Sequence, residues 1–171
     1  MTIQIILKFI YLISISFWVG SIFFFSFFAA PSIFKILPRN IAGDVVSDIF
    51  PKYYLVGYIC GLLALISSFI LDYFLLKNFR TVSFLKIIIL IVMLCIFFYA
   101  GQVIRPEAHS QRNILRNTEE TSTEYISAQK RFRKLHAQSA VLNLTEFTFG
   151  IAMVFITAYT YKDQKVYGGI Y

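Results

Sequence analysis

Apolar residues occupy four long blocks of this chain, with polar stretches between them. The first block runs from Ile3 to Leu37 and is interrupted only by Lys8 and Lys35. At about 1.5 Å per residue, a helix of that length overshoots a hydrocarbon core roughly 30 Å thick. Pro31 lacks a backbone donor and crowds the turn before it, so the first span is expected to end there and to cover about 5–29. Beyond it, Ile41, Val45 and Ile49 recur every four residues, with Asp44 and Asp48 on another side. That pattern predicts a short amphipathic helix lying at the interface, capped by Asn40 and stopped by Pro51.

The second and third blocks predict spans over about 54–76 and 82–104, joined by the short turn Lys77-Asn78-Phe79-Arg80 and therefore antiparallel. The segment from Arg105 to Gln138 is polar, with seven basic and four acidic residues. Within it, Thr121-Ser-Thr-Glu124 has the pattern of a capping box, and helix-permitting sequence continues from there into the fourth block. A helix is expected to start in water near Ser122 and to enter the membrane as span four, about 137–161. The expected fold is all-α: a four-transmembrane-helix bundle with an interfacial helix after span one and a polar helical extension before span four. One bundle uses nearly all of residues 1–171, which are read as a single membrane domain.

Composition supports lipid as the surroundings. The chain is 58% hydrophobic and only 15% charged, against roughly 25% charged in soluble domains. The first block is much longer than the core of a secretory signal and is read as a retained span. A net charge of +7 raises nucleic acid as a partner, but the basic residues cluster between apolar blocks and form no nucleic-acid motif. Membrane topology and anionic lipid head groups account for them better. Ten of the 16 Lys and Arg residues fall in loops one and three. The bias of Lys and Arg toward the cytoplasm puts those loops on the cytoplasmic side of the cell membrane and both termini outside. Cys60 and Cys95 lie in different apolar blocks, without metal-ligand or disulfide-framework spacing.

Ionisable groups are expensive in hydrocarbon, so those within spans are functional candidates. On span four, His136, Ser139, Asn143, Glu146 and Gly150 recur at spacings of three and four and share one stripe. Glu146 falls about 14 Å into the span by helical rise, close to the midplane. A carboxyl group there suits proton binding or cation coordination; the alternative is a neutral or hydrogen-bonded group that only fixes packing. His136 at the boundary could ligate a metal or haem, carry protons, or simply bond to a loop. Tyr11, Ser14, Trp18 and Ser21 on span one, and Cys95, Tyr99 and Gln102 on span three, are candidates to complete a polar core around Glu146. Gly57 and Gly61 form a small-xxx-small motif on a stripe that continues through Ala64, Ser68 and Asp72. With Gly20 and Gly150 they are read as helix-packing positions. Asp72, Lys86 and Lys8 fall near the membrane end shared by the termini, where they either pair or snorkel. No nucleophile-plus-base set, phosphate-binding glycine loop or zinc signature is present.

Phe17-Trp18-Val19-Gly20, Ala30-Pro31 with Phe34, Leu37-Pro38, Ala42-Gly43 and Phe50-Pro51 with Tyr53-Tyr54 form an ordered series of motifs. Phe132, Leu135-His136, Ser139 and Asn143-Leu144 follow later in the chain. The series resembles the transmembrane protein 205-like family, a membrane domain of unknown function. That resemblance implies four membrane helices and no particular activity. The family is also distantly similar to membrane proteins of copper resistance and to a haem-binding protoporphyrinogen oxidase, which adds a redox alternative with haem or copper at His136. The chain has two histidines and none in spans one to three, so no bis-histidine haem site is evident. The reading favoured by the residues is a non-enzymatic binder of a small molecule or ion, a permease-like protein or an accessory subunit. It would work in the bilayer as a homo-oligomer or with a partner membrane subunit.

Overall fold

The computed structural model describes residues 2–75 and 81–167, and every element in them is helical. The helices are α1 (Thr2–Phe24), α2 (Ala30–Ile36), α3 (Arg39–Phe69), α4 (Thr81–Tyr99), α5 (Arg105–Asn117) and α6 (Thr123–Tyr167). Widened π-helical turns over Phe25–Ala29 and Ala100–Ile104 join α1 to α2 and α4 to α5, and a third, Ile70–Leu75, extends α3. The result is four long rods that are apolar enough to cross a membrane. Phe17, Phe24, Leu55, Phe98 and Phe155 lie exposed on their outer faces, which is tolerable in acyl chains and not in water. The chain is an integral membrane protein built as a helical bundle. The expected turn Lys77–Arg80 and the tail from Gly168 lie outside the described residues.

Prolines do not end helices where the sequence suggested. Pro31 stands in the first turn of α2, directly after the widened turn Phe25–Ala29. A proline ring collides with the carbonyl four residues before it; here that carbonyl belongs to Phe27, inside the widened turn, where the i→i−5 pattern gives it room. Pro106 repeats the arrangement, with Gln102 inside Ala100–Ile104. Span one therefore passes Ala29 and reaches Ile36. Pro51 does not stop its helix either, since it sits within α3. The amphipathic stretch around Asp44 is helical as expected, but it runs unbroken into span two rather than forming a separate interfacial helix. Its cap is Pro38, whose carbonyl accepts from the Ala42 N–H at 2.9 Å, and not Asn40. At the start of α6, the Ser122 hydroxyl accepts from the Tyr125 N–H at 3.1 Å, so the cap falls one residue beyond the Thr121 position.

In cross-section the order is α1, α3, α4, α6, with each neighbour antiparallel. Tyr11–Thr157, Val19–Gly150 and Ser26–Asn143 set the register of α1 on α6. Trp18 against Gly61 and Phe25 against Tyr53 set that of α1 on α3. Trp18, Ile22, Leu90, Met93, Phe97 and Met153 fill the centre and are almost completely buried. Gly57 and Gly61 let α3 approach closely: a Cβ on Gly61 would lie 2.5 Å from Leu94 and 2.9 Å from the Trp18 ring, and one on Gly57 would enter the Phe97 ring. A Cβ on Gly150 would lie 2.6 Å from Val19 Cγ2. Gly20 does not pack: it is exposed on α1 with open space where a Cβ would be. It lies two residues round from the buried Trp18 and one from Val19, on the lipid side of the helix.

Candidate functional site: a buried carboxyl group inside the bundle

Glu146 is 1% exposed, and neither carboxyl oxygen has a hydrogen-bond partner among the described residues. Its position follows from the packing seam of α6. Ala128, Leu135, Glu146 and Met153 are all buried and are spaced by seven and eleven residues, which returns a helix to nearly the same face. Glu146 occupies a slot where the seam otherwise places an apolar residue. A cavity of about 10 Å³ adjoins it, lined among others by Tyr54, Phe97, Ala100, Ser139 and Asn143. That is room for about one water or a group of similar size.

Asn143 borders this chamber, and both ends of its amide are hydrogen-bonded. Its Oδ1 accepts from the Tyr53 hydroxyl at 2.8 Å, and its Nδ2 donates to Ser26 Oγ. Three helices thus meet at one polar node, and none of its donors is directed to Glu146. Tyr53 packs against Phe25, Tyr54 and Phe97, so the node rests on a floor of aromatic rings. Tyr53 stands in the motif series of the sequence but not among its candidate site residues, and Ser26 was not singled out. Ser26 continues the buried line of Tyr11, Ser14, Trp18 and Ile22 on α1, a signal hidden by the widened turn in which Ser26 lies.

Other candidates are placed differently. Trp18 is fully buried but does not line the chamber; it packs edge-on to Phe97 with centroids 5.6 Å apart, and its Nε1 has no hydrogen-bond partner among the described residues. Ser139 lines the chamber. His136 does not join it: the residue is exposed, with its ring stacked on Phe132. At about 100° per residue, His136 is nearly a quarter turn from the seam through Leu135 and Glu146, so the shared stripe was too broad to bury both its edges. Cys95, Tyr99 and Gln102 also face outward, and α4 offers Met93, Phe97 and Ala100 to the interior instead. Among the described residues, no three of His, Cys, Asp and Glu gather closely enough to hold a metal ion.

A second polar cluster lies toward the end where α1 begins. Lys86 and Asp72 form a buried ion pair at 2.7 Å, with Ser68 Oγ 3.5 Å from the same carboxylate oxygen. Lys86 Nζ lies 5.1 Å from the centre of the Tyr11 ring, a cation–π contact. The Thr157 hydroxyl donates to the Met153 carbonyl at 2.7 Å, so the 2.8 Å bond between it and Tyr11 has Tyr11 as donor. Asp72 lies in the widened turn Ile70–Leu75.

At the opposite end the long helices project beyond the apolar region and are tied by charge. Arg112 and Arg116 on α5 both reach Asp44 and the Asn40 carbonyl on α3, and Arg112 also donates to Ser47 Oγ at 2.9 Å. Arg131 pairs with Glu107, which joins α6 to α5. The Arg116 hydrogen bond holds the Asp44 carboxyl below the usual carboxylate range; desolvation works against it, and the charge of Arg112 assists. The stabilisation is therefore complete above the ordinary carboxylate pKa and disappears as pH falls through the lowered folded value. Asp44→Asn is expected to lower the thermal midpoint at neutral pH, by a margin that shrinks as the buffer is made acidic. Melting curves of both proteins over a pH series check this, and a pH-independent margin would contradict it.

This combination defines a four-span α-helical membrane protein with a carboxyl-bearing chamber inside its bundle. Residues 13–114, more than half of the chain, match the family described as Domain of unknown function (DUF4149), and the chain belongs to that family. The matched stretch begins partway along α1, includes α3 and α4, and ends before α6, so Glu146, Asn143 and Ser139 lie beyond it. An uncharacterized protein of Aquifex aeolicus (strain VF5) is 49% identical over 45 residues. That stretch makes up 26% of this chain and 34% of the relative, so the chain spans about a third of the relative's length. No solved structure matches the chain.

Proposed function

We propose that this protein is a non-enzymatic binder of protons or small cationic solutes, permease-like in action, with Glu146 as the binding group. The carrying observation is the carboxyl group itself: nearly inaccessible, beside a water-sized chamber, with neither oxygen engaged by any described residue. An ionised carboxylate without a donor is costly to hold in a low-dielectric interior. The group is therefore suited to exchanging a proton for a cationic donor. Four spans leave little room for a complete pathway, which favours a homo-oligomer or a partner membrane subunit. The bias of Lys and Arg toward the Asp44 end favours a cell-membrane protein with that end in the cytoplasm. The motif likeness to the transmembrane protein 205-like family belongs to this reading as well.

In proteoliposomes carrying an internal pH dye, the wild type is expected to dissipate an imposed gradient. Glu146→Gln, which keeps the shape and removes the ionisable group, is expected to slow that leak about tenfold while the protein remains folded. Equal rates in folded wild type and variant would remove the transport role.

A further inference from the structure

We propose that the Glu146 chamber is served from the side by the bilayer, through a pocket between α1 and α6 that admits an amphiphile with an apolar chain and a small cationic head. The inference rests on Glu146 being a binding group and adds the ligand class and the route. A pocket of about 210 Å³ opens between the widened turn Phe25–Ala29 and α6, bordered by Ser26, Phe27, Ala140, Asn143, Leu144 and Phe147. Its rim faces the acyl chains, since Phe27 and Leu144 are 52% and 60% exposed.

Asn143 borders both spaces, the outer pocket and the inner chamber. The two differ in size and chemistry. The outer one is apolar apart from Ser26 and Asn143 and is roomy enough for a stretch of alkyl chain. The inner one, about 10 Å³, takes only a water-sized group. Asn143 and Ser26 are bonded to each other, and Asn143 is also bonded to Tyr53. Glu146, whose carboxyl oxygens have no partner among the described residues, lines the inner chamber together with Asn143. Among the described residues no donor reaches either Glu146 oxygen, and a primary ammonium supplies three with the complementary charge. The widened turn provides the opening: its looser hydrogen-bond pattern sets Ser26 and Phe27 at the mouth, and such turns are frequent at functional sites.

The test is photolabelling in nanodiscs with a diazirine-bearing dodecylamine, with the matching dodecanol label as the neutral control and thermal melting as the check on folding. Saturable labelling by the amine at Phe27, Leu144 or Phe147 is expected, at least about tenfold above the alcohol. Glu146→Gln is expected to remove this preference. Ala140→Phe, which fills the mouth from an exposed position, is expected to cut amine labelling by a similar factor while the melting curve shows the variant folded. Equal labelling by amine and alcohol in the wild type would overturn the recognition of a cationic head. Loss in Glu146→Gln with no loss in Ala140→Phe would overturn the lateral route and leave the carboxyl site standing. Undiminished amine preference in folded Glu146→Gln would overturn both.

Discussion

Gly57→Ala is expected to destabilise the bundle by about 2 kcal/mol or more, a large effect for one added methyl group. The new Cβ would enter the Phe97 ring, and that ring cannot retreat. Phe97 is 2% exposed and is held edge-on by Trp18 and Tyr58 and from other sides by Tyr53 and Tyr54. Relief requires either separation of α3 from α4 or displacement of several rings that pack together. Gly20→Ala provides a matched comparison, since nothing occupies the space a Cβ would take there. With no clash, the intrinsic helix preference for alanine remains, and a gain of about 0.5–1 kcal/mol is expected. Unfolding in mixed micelles can be followed through the single tryptophan, Trp18, which lies against Gly61 and Phe97. Equal and small effects at the two glycines would show that α3 and α4 are not packed this closely.

That contrast also shows what the sequence could convey. The four apolar blocks became four long helices because length and hydrophobicity decide what lipid can accommodate. Gly57 and Gly61 were legible as packing positions because they share a face with Ala64 and Ser68, which are also buried. Gly20 belongs to no such stripe. The proline breaks were misread for a definite reason: a rule based on the α-helical ladder holds only while the ladder keeps its i→i−4 spacing. Pro31 and Pro106 follow widened turns that free the carbonyls they would strike. Nothing local in the sequence announces such a turn.

Within the candidate site, Glu146, Asn143 and Ser139 were legible because polar side chains inside an apolar run are conspicuous. Their partners were not. Tyr53 and Ser26 come from other helices, and only the register of the bundle brings their hydroxyls to Asn143. His136 was drawn in by sequence spacing alone. A helical stripe nearly a quarter turn wide can have one edge on the seam and the other in the open, as Glu146 and His136 show.

Lys86→Met should have the largest effect of any single polar substitution in the spans, about 3 kcal/mol or more. The pair it breaks is nearly enclosed, with the Lys86 and Asp72 side chains only 9% and 8% exposed. Removing the ammonium leaves the Asp72 carboxylate facing the Ser68 hydroxyl at 3.5 Å, too far to replace a charge-assisted bond. The Tyr11 ring loses its cation as well. Because most of the penalty comes from the stranded charge, removing both charges should recover much of it: Asp72→Asn combined with Lys86→Met is expected to be clearly more stable than Lys86→Met alone. A double-mutant cycle should then give a coupling energy of about 2–3 kcal/mol, against less than about 1 kcal/mol for a solvent-screened pair. A coupling near zero would mean that both side chains reach the head-group region and that the polar cluster around Tyr11 and Thr157 does not enclose them. A high value would place an intact ion pair within the bundle, toward the end where α1 begins, and separate from the unpartnered carboxyl group of Glu146.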